Sequence, residues 1–123
     1  MDYEKGFSGI GSEFVVMKIL YDLNNFFFKS NINDLISDLK QNNFTNRTVL
    51  KYLEKIPREI FVKKKFANVC YNNVPFPIDC NQTTSQPLVI ANMIDSLNIK
   101  KTDLVLEIGT GTGYQTALLS YLC

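Results

Sequence analysis

Residues 104–113 read Leu-Val-Leu-Glu-Ile-Gly-Thr-Gly-Thr-Gly, and this stretch decides the fold class. Its first half, Leu104 to Ile108, is a short apolar run of the kind that is buried in a parallel β-sheet. Gly109, Gly111 and Gly113 follow, and glycine permits positive φ and close approach of a ligand to the backbone. A strand, a glycine loop and a helical pattern predict the opening of a doubly wound α/β domain, which binds its ligand at the carboxyl end of the strand.

The spacing of the glycines distinguishes between ligand classes. A dinucleotide fingerprint, G-x-G-x-x-G, requires glycine at position 114, where Tyr114 stands. Counted from Gly111 instead, the fingerprint fails at Thr116. A phosphate-binding P-loop requires Gly-Lys followed by Ser or Thr, and the chain lacks this sequence.

The remaining pattern, E-x-G-x-G-x-G, resembles that of class I S-adenosylmethionine-dependent methyltransferases. The resemblance implies that the glycine loop accommodates the amino-acid portion of S-adenosylmethionine and that Glu107 adds polar contacts. An ordinary tight turn between a strand and a helix is the alternative. The implied cofactor-binding residues are Glu107, Gly109, Thr110, Gly111 and Gly113.

Three helices are predicted upstream of the glycine loop by apolar residues at helical spacing. The first covers Ile32 to Leu39, and Asn31 or Asn33 can cap it. The second runs from Thr48 to Ile56 and is stopped by Pro57. The apolar residues of the third are Ile90, Met93, Ile94 and Leu97.

A second motif occupies residues 75–87, which read Pro-Phe-Pro-Ile-Asp-Cys-Asn-Gln-Thr-Thr-Ser-Gln-Pro. It resembles the P-I-x-x-G-Q-T-I-S-Q-P signature of protein-L-isoaspartate O-methyltransferases. Residues 56–62 are similar to that family's V-P-R-E-x-F-V, and residues 104–117 resemble its glycine-loop segment. The three motifs occur in the family's order, and together they cover residues 32–122.

The resemblance implies a repair reaction. Methyl passes from S-adenosylmethionine to the α-carboxylate of an L-isoaspartyl residue, so the expected partners are isoaspartyl-containing proteins and peptides. A carboxylate is already ionised near about pH 7, so the reaction needs no strong base, and the chain contains no histidine. The task of the enzyme is alignment of the reacting groups. A methyltransferase of the same fold with another acceptor is a further alternative.

The resemblance also assigns the residues of the active-site loop, 75–87. Ser85 matches the family's active-site serine, whose hydroxyl can bond the substrate carboxylate or the cofactor, and Gln82 and Thr83 lie in the same loop. From the residues alone, two local roles remain open: Ser85 also fits a helix cap, and Thr83 can bond its own turn.

Two positions of this loop depart from the family pattern. Asn81 replaces the usual glycine, and we expect this change to be tolerated because Asn adopts unusual backbone angles more readily than most residues. Thr84 replaces the usual isoleucine, and we expect its hydroxyl to loosen the loop.

Composition narrows the choice of partners and compartment. The formal net charge is +1, which favours neither a nucleic acid nor a membrane as partner. Residues 40–65 carry eight basic side chains and two acidic ones, and the simplest interpretation is a solvated face. A patch that attracts acidic protein substrates is the alternative. Three cysteines without metal-type spacing, and no histidine, predict free thiols, a cytoplasmic location and no metal site.

The expected organisation has three parts. Residues 1–29 are an N-terminal extension of unknown role, in which polar residues interrupt the aromatic stretch Phe14 to Phe28 and argue against a membrane span. Residues 30–100 form a helical part, and residues 101–123 supply the first strand, glycine loop and helix of the cofactor domain. Family members continue with further strands, so the resemblance predicts an α/β, Rossmann-like fold whose C-terminal part is missing.

An absent sheet partner has a functional consequence. Leu104 to Ile108 would form an exposed apolar edge, which is an aggregation hazard. The alternative to an enzyme is therefore an inactive fragment that acts at most as an interaction module, or that associates with itself through this edge.

Overall fold

The computed structural model describes residues 30–123, so the prediction for Phe14 to Phe28 lies outside the described residues. Within this range the chain forms four α-helices and two short 3₁₀ helices, and it contains no β-strand. None of the helices in residues 30–123 is long and apolar enough to cross a membrane. The elements in chain order are α1 (Ile32–Gln41), α2 (Arg47–Lys55), the 3₁₀ helices Arg58–Phe61 and Lys64–Val69, α3 (Pro87–Leu97) and α4 (Tyr114–Ser120).

Helix α1 confirms the first predicted helix and selects its cap. The side chain of Asn31 accepts a hydrogen bond from the Asp34 N–H at 3.1 Å. The Asp34 carboxylate accepts one from the Asn31 N–H, also at 3.1 Å. This reciprocal pair is a capping box, which satisfies two backbone donors that the first turn of the helix leaves free.

Helix α2 begins one residue before the predicted start because Asn46 caps it. The Asn46 side chain accepts hydrogen bonds from the N–H groups of Thr48 and Val49 at 3.0 and 3.1 Å. The sequence interpretation began this helix at Thr48 and named no cap for it. The helix ends at Lys55, shortly before Pro57, which agrees with the predicted stop.

Helix α3 confirms the third predicted helix but not its predicted cap. Gln86 occupies the N-cap position, its side chain makes no capping bond, and Pro87 is the first helical residue. The Leu88 N–H, which a capping side chain would satisfy, instead donates to the Asn73 side chain at 2.9 Å. The helix ends at Asn98 in the left-handed conformation, with φ of 48°.

The main core is centred on α2, which packs against α1, α3 and α4. A smaller cluster of Phe66, Val69 and Phe76 lies beneath the active-site loop, and the two phenylalanine rings are 5.2 Å apart. Burial of one such side chain stabilises the fold by about 1.5–3 kcal/mol. The fully buried aliphatic side chains of the main core include Leu35, Leu39, Leu53, Ile90, Ile94 and Leu118.

The strand predicted at Leu104 to Ile108 is absent from the described structure, whereas the predicted exposure of this apolar segment is confirmed. This segment is not a strand, and the side chains of Leu104, Leu106 and Ile108 are 102%, 84% and 89% exposed. A strand exists only as part of a hydrogen-bonded ladder, and the backbone of this segment makes no ladder bond within residues 30–123. The described part of the chain is therefore mostly helical.

Candidate functional site

The two sequence motifs meet at one cleft of about 250 Å³. The active-site loop contributes Thr83 and Ser85, and the glycine loop contributes Glu107 and the backbone that follows it. The predicted site residues that line the cleft are Thr83, Ser85, Glu107, Gly109, Thr110 and Gly111. Gln82 and Gly113 do not line it.

A small hairpin shapes the active-site loop. Cys80 and Asn81 have φ of 60° and 54°, and the Gln82 N–H donates to the Asp79 carbonyl at 3.3 Å. Two consecutive residues with positive φ are typical of the type I′ turns that join hairpin strands. The Gln82 carbonyl accepts from the Ile78 N–H at 2.9 Å. The predicted tolerance of Asn81 for unusual angles is confirmed, and the Gln82 backbone serves the turn.

Thr84 does not loosen this loop, contrary to the prediction. Its hydroxyl accepts a hydrogen bond from the Phe76 N–H at 2.8 Å. Its own N–H donates to the Phe76 carbonyl at 2.7 Å. The hydroxyl that replaces an apolar side chain satisfies a backbone donor, because the hairpin brings Phe76 within its reach.

Neither local role considered for Ser85 and Thr83 is realised. Both residues are exposed, and neither hydroxyl makes a hydrogen bond within residues 30–123. Gln86 takes the helix-cap position, as described above. Both hydroxyls are therefore free to bond a ligand in the cleft.

The glycine loop is held in a conformation that requires glycine. Gly109, Gly111 and Gly113 have φ of 81°, 58° and 87°. A Cβ at Gly109 would meet nothing within 4 Å, and one at Gly111 would lie 3.6 Å from Ile78 Cδ1. Glycine is favoured at these positions because their φ angles are positive, and not because an added Cβ would clash with neighbouring atoms. The space beside Gly109 suits close approach of a ligand to the backbone.

Glu107 is oriented by the helix that follows the loop. Its carboxylate accepts a hydrogen bond from the Thr116 hydroxyl, and Thr116 belongs to α4. Glu107 is half-buried and lines the cleft. The acidic side chain that the sequence singled out is thus held at the edge of the site.

Arg58 is a cleft residue that the sequence interpretation misplaced. It was counted with the solvated basic run 40–65, yet it is only 1% exposed and lines the cleft. Its guanidinium lies over the rings of Phe76 and Tyr114, 5.5 and 5.4 Å from their centroids. Nη2 donates to the Val74 carbonyl at 3.4 Å, and Nη1 has no hydrogen-bond partner among residues 30–123. Burial lowers the pKa of Arg58.

The remaining basic side chains of that run are exposed, apart from Lys63. Lys63 is half-buried and pairs with Asp79 at 2.8 Å. The signal that could have separated Arg58 from the run is its place in the Pro-Arg-Glu motif of residues 57–59, directly after a helix stop. Exposure of these side chains is compatible both with a solvated face and with a patch that attracts acidic protein substrates, so both interpretations stay predictions.

Tyr114 is the second cleft residue that was missed as a site residue. The sequence pattern used position 114 to exclude a dinucleotide fingerprint, which requires glycine there. Tyr114 is buried, its ring is tilted against that of Phe61 at 5.4 Å, and its hydroxyl has no hydrogen-bond partner within residues 30–123. Burial raises the pKa of Tyr114 to about 12, so the phenol is protonated at about pH 7.

The described part of the chain is similar to known proteins. Residues 30–123 match the family model described as protein-L-isoaspartate(D-aspartate) O-methyltransferase (PCMT). A protein-L-isoaspartate O-methyltransferase of Rhodospirillum rubrum is 47% identical over 89 residues, which are 72% of this chain and 41% of that protein. That of Flavobacterium psychrophilum is 46% identical over 87 residues, 71% of this chain and 41% of that protein. That of Proteus mirabilis is 44% identical over 89 residues, 72% of this chain and 43% of that protein.

These matches first place the chain among methyltransferases. The chain belongs to the protein-L-isoaspartate (D-aspartate) O-methyltransferase family, because the family model covers all of the described residues. It spans 41–43% of the length of these three relatives.

Proposed function

We propose that this chain provides the cofactor-binding and serine-bearing part of a protein-L-isoaspartate O-methyltransferase. In this function a methyl group is transferred from S-adenosylmethionine to the α-carboxylate of L-isoaspartyl residues in damaged proteins. The observation that supports this proposal most directly is that Ser85 and the glycine loop line the same cleft. The α/β arrangement of the complete domain is part of the proposal and is supported by the family match.

The cofactor end of the cleft is formed by the glycine loop. S-adenosylmethionine supplies an activated methyl group when bound. The open backbone beside Gly109 receives its amino-acid portion, together with Thr110 and Gly111, while Gly113 fixes the start of α4. Glu107, held by Thr116, contributes an acceptor at the same end.

The substrate end of the cleft is formed by the active-site loop. The free hydroxyl of Ser85 donates to the isoaspartyl carboxylate or the cofactor, and that of Thr83 lies beside it in the loop. The backbone of Gln82 maintains the hairpin that presents both residues. Since the carboxylate is the nucleophile and is already ionised, these residues bind and orient, and no proton has to be removed.

The proposed partners are isoaspartyl-containing proteins and peptides, as the family and the relatives' names indicate. The proposed location is the cytoplasm. Its support is that Cys70, Cys80 and Cys123 form no disulfide within residues 30–123, which suits a reducing compartment.

The test is base-labile methyl transfer from labelled S-adenosylmethionine to an isoaspartyl peptide, with the matched aspartyl peptide as control. We expect selective labelling of the isoaspartyl peptide. Ser85→Ala should lower the rate by about tenfold or more, because a hydrogen bond to a charged group is lost. Ser96→Ala is the matched control, since Ser96 is exposed on α3 and does not line the cleft.

Each alternative result has a definite meaning. Equal labelling of both peptides would indicate a methyltransferase with another acceptor. Absence of labelling by a folded chain would overturn the activity of this chain and leave its family membership intact. Full activity of a folded Ser85→Ala variant would remove the proposed role of Ser85.

A second candidate function is self-association, favoured by the exposed apolar side chains of Leu104, Leu106 and Ile108. These three exposed side chains are called the apolar row below. A second copy of the chain could cover it by pairing at this segment. Sedimentation over a range of concentrations tests this function, and a monomer at every concentration contradicts it.

A further inference from the structure

Two buried polar groups of the cleft are left without hydrogen-bond partners. Arg58 and Tyr114 both line the cleft, and they are 1% and 4% exposed. Arg58 Nη1 and the Tyr114 hydroxyl have no partner within residues 30–123. Buried polar groups in folded proteins are nearly always paired, so two unpaired groups in one cleft require a physical reason.

The surroundings of Arg58 do not compensate its charge. The rings of Phe76 and Tyr114 provide cation–π contacts, but within residues 30–123 no carboxylate forms an ion pair with the guanidinium. The one hydrogen bond of the side chain, to the Val74 carbonyl, is long at 3.4 Å. A buried charge without an opposite charge is strongly unfavourable, and such groups concentrate at functional sites.

We propose that Arg58 Nη1 and the Tyr114 hydroxyl form a carboxylate-binding subsite of the cleft. Both groups donate hydrogen bonds, and one of them is a cation, which is the donor set that a carboxylate prefers. This inference rests on the proposed function, in which both reactants carry a carboxylate. One is the amino-acid carboxylate of the cofactor, and the other is the α-carboxylate of the isoaspartyl residue.

Binding at this subsite requires a local opening. Both unpaired atoms are covered by neighbouring atoms, so a carboxylate reaches them only when a covering side chain moves. Phe61 is half-buried, lines the cleft and contacts the ring of Tyr114. Rotation of such a ring is a small change compared with movement of the backbone.

The subsite predicts opposite effects on stability and on binding. Tyr114→Phe keeps the buried ring and removes only the unpaired hydroxyl. Arg58→Met keeps an unbranched side chain and removes the uncompensated charge. Both changes should leave the Tm unchanged or raise it, because replacing unsatisfied buried polar groups by apolar ones is often stabilising.

Binding to the full chain is measured by calorimetry with two pairs of ligands. The first pair is S-adenosylhomocysteine and methylthioadenosine, which lacks the amino-acid carboxylate. The second is an isoaspartyl peptide and the same peptide with its α-carboxylate converted to an amide. In one of the two pairs, both variants should bind the ligand that has the carboxylate roughly 10- to 100-fold more weakly than the wild-type chain does. Their affinity for the ligand that lacks this carboxylate should be unchanged. The affected pair identifies the source of the carboxylate.

The control variant is Tyr52→Phe, since Tyr52 is half-buried but does not line the cleft. Tyr52→Phe should not change the affinity for any of the four ligands. Three results overturn the subsite: wild-type affinity in both variants, equal weakening for both members of each pair, or a folded wild-type chain that binds no carboxylate ligand. If Arg58→Met does not fold, Tyr114→Phe decides alone.

Loss of the subsite and loss of the methylation reaction give different experimental results. Selective methylation of isoaspartyl peptide with unaltered carboxylate affinity in both variants removes only the subsite. If the two variants weaken binding of S-adenosylhomocysteine only, and the wild-type chain does not methylate the isoaspartyl peptide, then only the proposed reaction is excluded.

Discussion

Thr84 and Phe76 are joined by two hydrogen bonds, although they are eight residues apart. The Thr84 hydroxyl accepts from the Phe76 N–H at 2.8 Å, and the Thr84 N–H donates to the Phe76 carbonyl at 2.7 Å. The Phe76 ring is itself buried against Phe66. This pair anchors the active-site loop to the small apolar cluster, and Ser85 follows it directly.

Removal of the Thr84 hydroxyl should therefore destabilise the loop. Thr84→Val keeps the branched shape and leaves the partly buried Phe76 N–H without its acceptor. We expect the free energy of unfolding to fall by about 1–3 kcal/mol, as measured by urea denaturation. Thr83→Val is the matched control, because the Thr83 hydroxyl makes no hydrogen bond within residues 30–123, and its effect should stay within about 0.5 kcal/mol. Equal effects of the two changes would contradict this role of Thr84.

The turn at Asn81 should respond in opposite directions to glycine and alanine. Asn81 has φ of 54°, which glycine adopts without a steric penalty and alanine does not. Asn81→Gly should leave stability unchanged or raise it, and Asn81→Ala should lower it by about 1 kcal/mol. Thermal unfolding of the two variants measures the difference. Equal stability of the alanine and glycine variants would contradict a positive φ at Asn81.

The ion pair between Lys63 and Asp79 should make stability depend on pH at the acid end. The contact with Lys63, 2.8 Å away, lowers the pKa of Asp79 below its ordinary value. A lowered pKa in the folded state stabilises the fold above the pKa of the unfolded chain, about 4, and this contribution is lost as the pH falls through the lower folded value. Asp79→Asn should therefore lower the Tm slightly at about pH 7, and this difference should shrink as the pH falls below about 4. A difference that persists in acid would require another cause.

The apolar row at residues 104–108 should govern association of the chain. Leu106 is 84% exposed, so Leu106→Lys adds a charge to the row without removing a buried contact. We expect weaker self-association in light scattering, and a change in monomer stability within about 0.5 kcal/mol. Lys101→Ala would be the wrong control, because Lys101 bonds the Tyr121 carbonyl. Val89→Lys is better, since Val89 is exposed on α3, outside the row.

Much of the local structure could be predicted because its causes are local. The apolar spacing of Ile32 to Leu39 gave α1, and Pro57 gave the end of α2. The three glycines of the loop after residue 108 gave three positive φ angles. Caps were harder to predict, because several polar residues near each helix start can compete for the same backbone donors. Asn46 caps α2, for which the sequence interpretation named no cap.

The amino-acid sequence by itself determined the family, the order of the helices and the residues of both loops, because these follow from short-range patterns and neighbouring residues. Only the tertiary structure decided that Arg58 is buried between aromatic rings while its basic neighbours are mostly exposed. It also decided that Ser85 faces the cleft without capping α3. Leu104 to Ile108 has the composition of a strand, but without a neighbouring segment in residues 30–123 it forms none. Burial and strand pairing depend on what lies beside a residue in space, and a linear pattern does not contain that information.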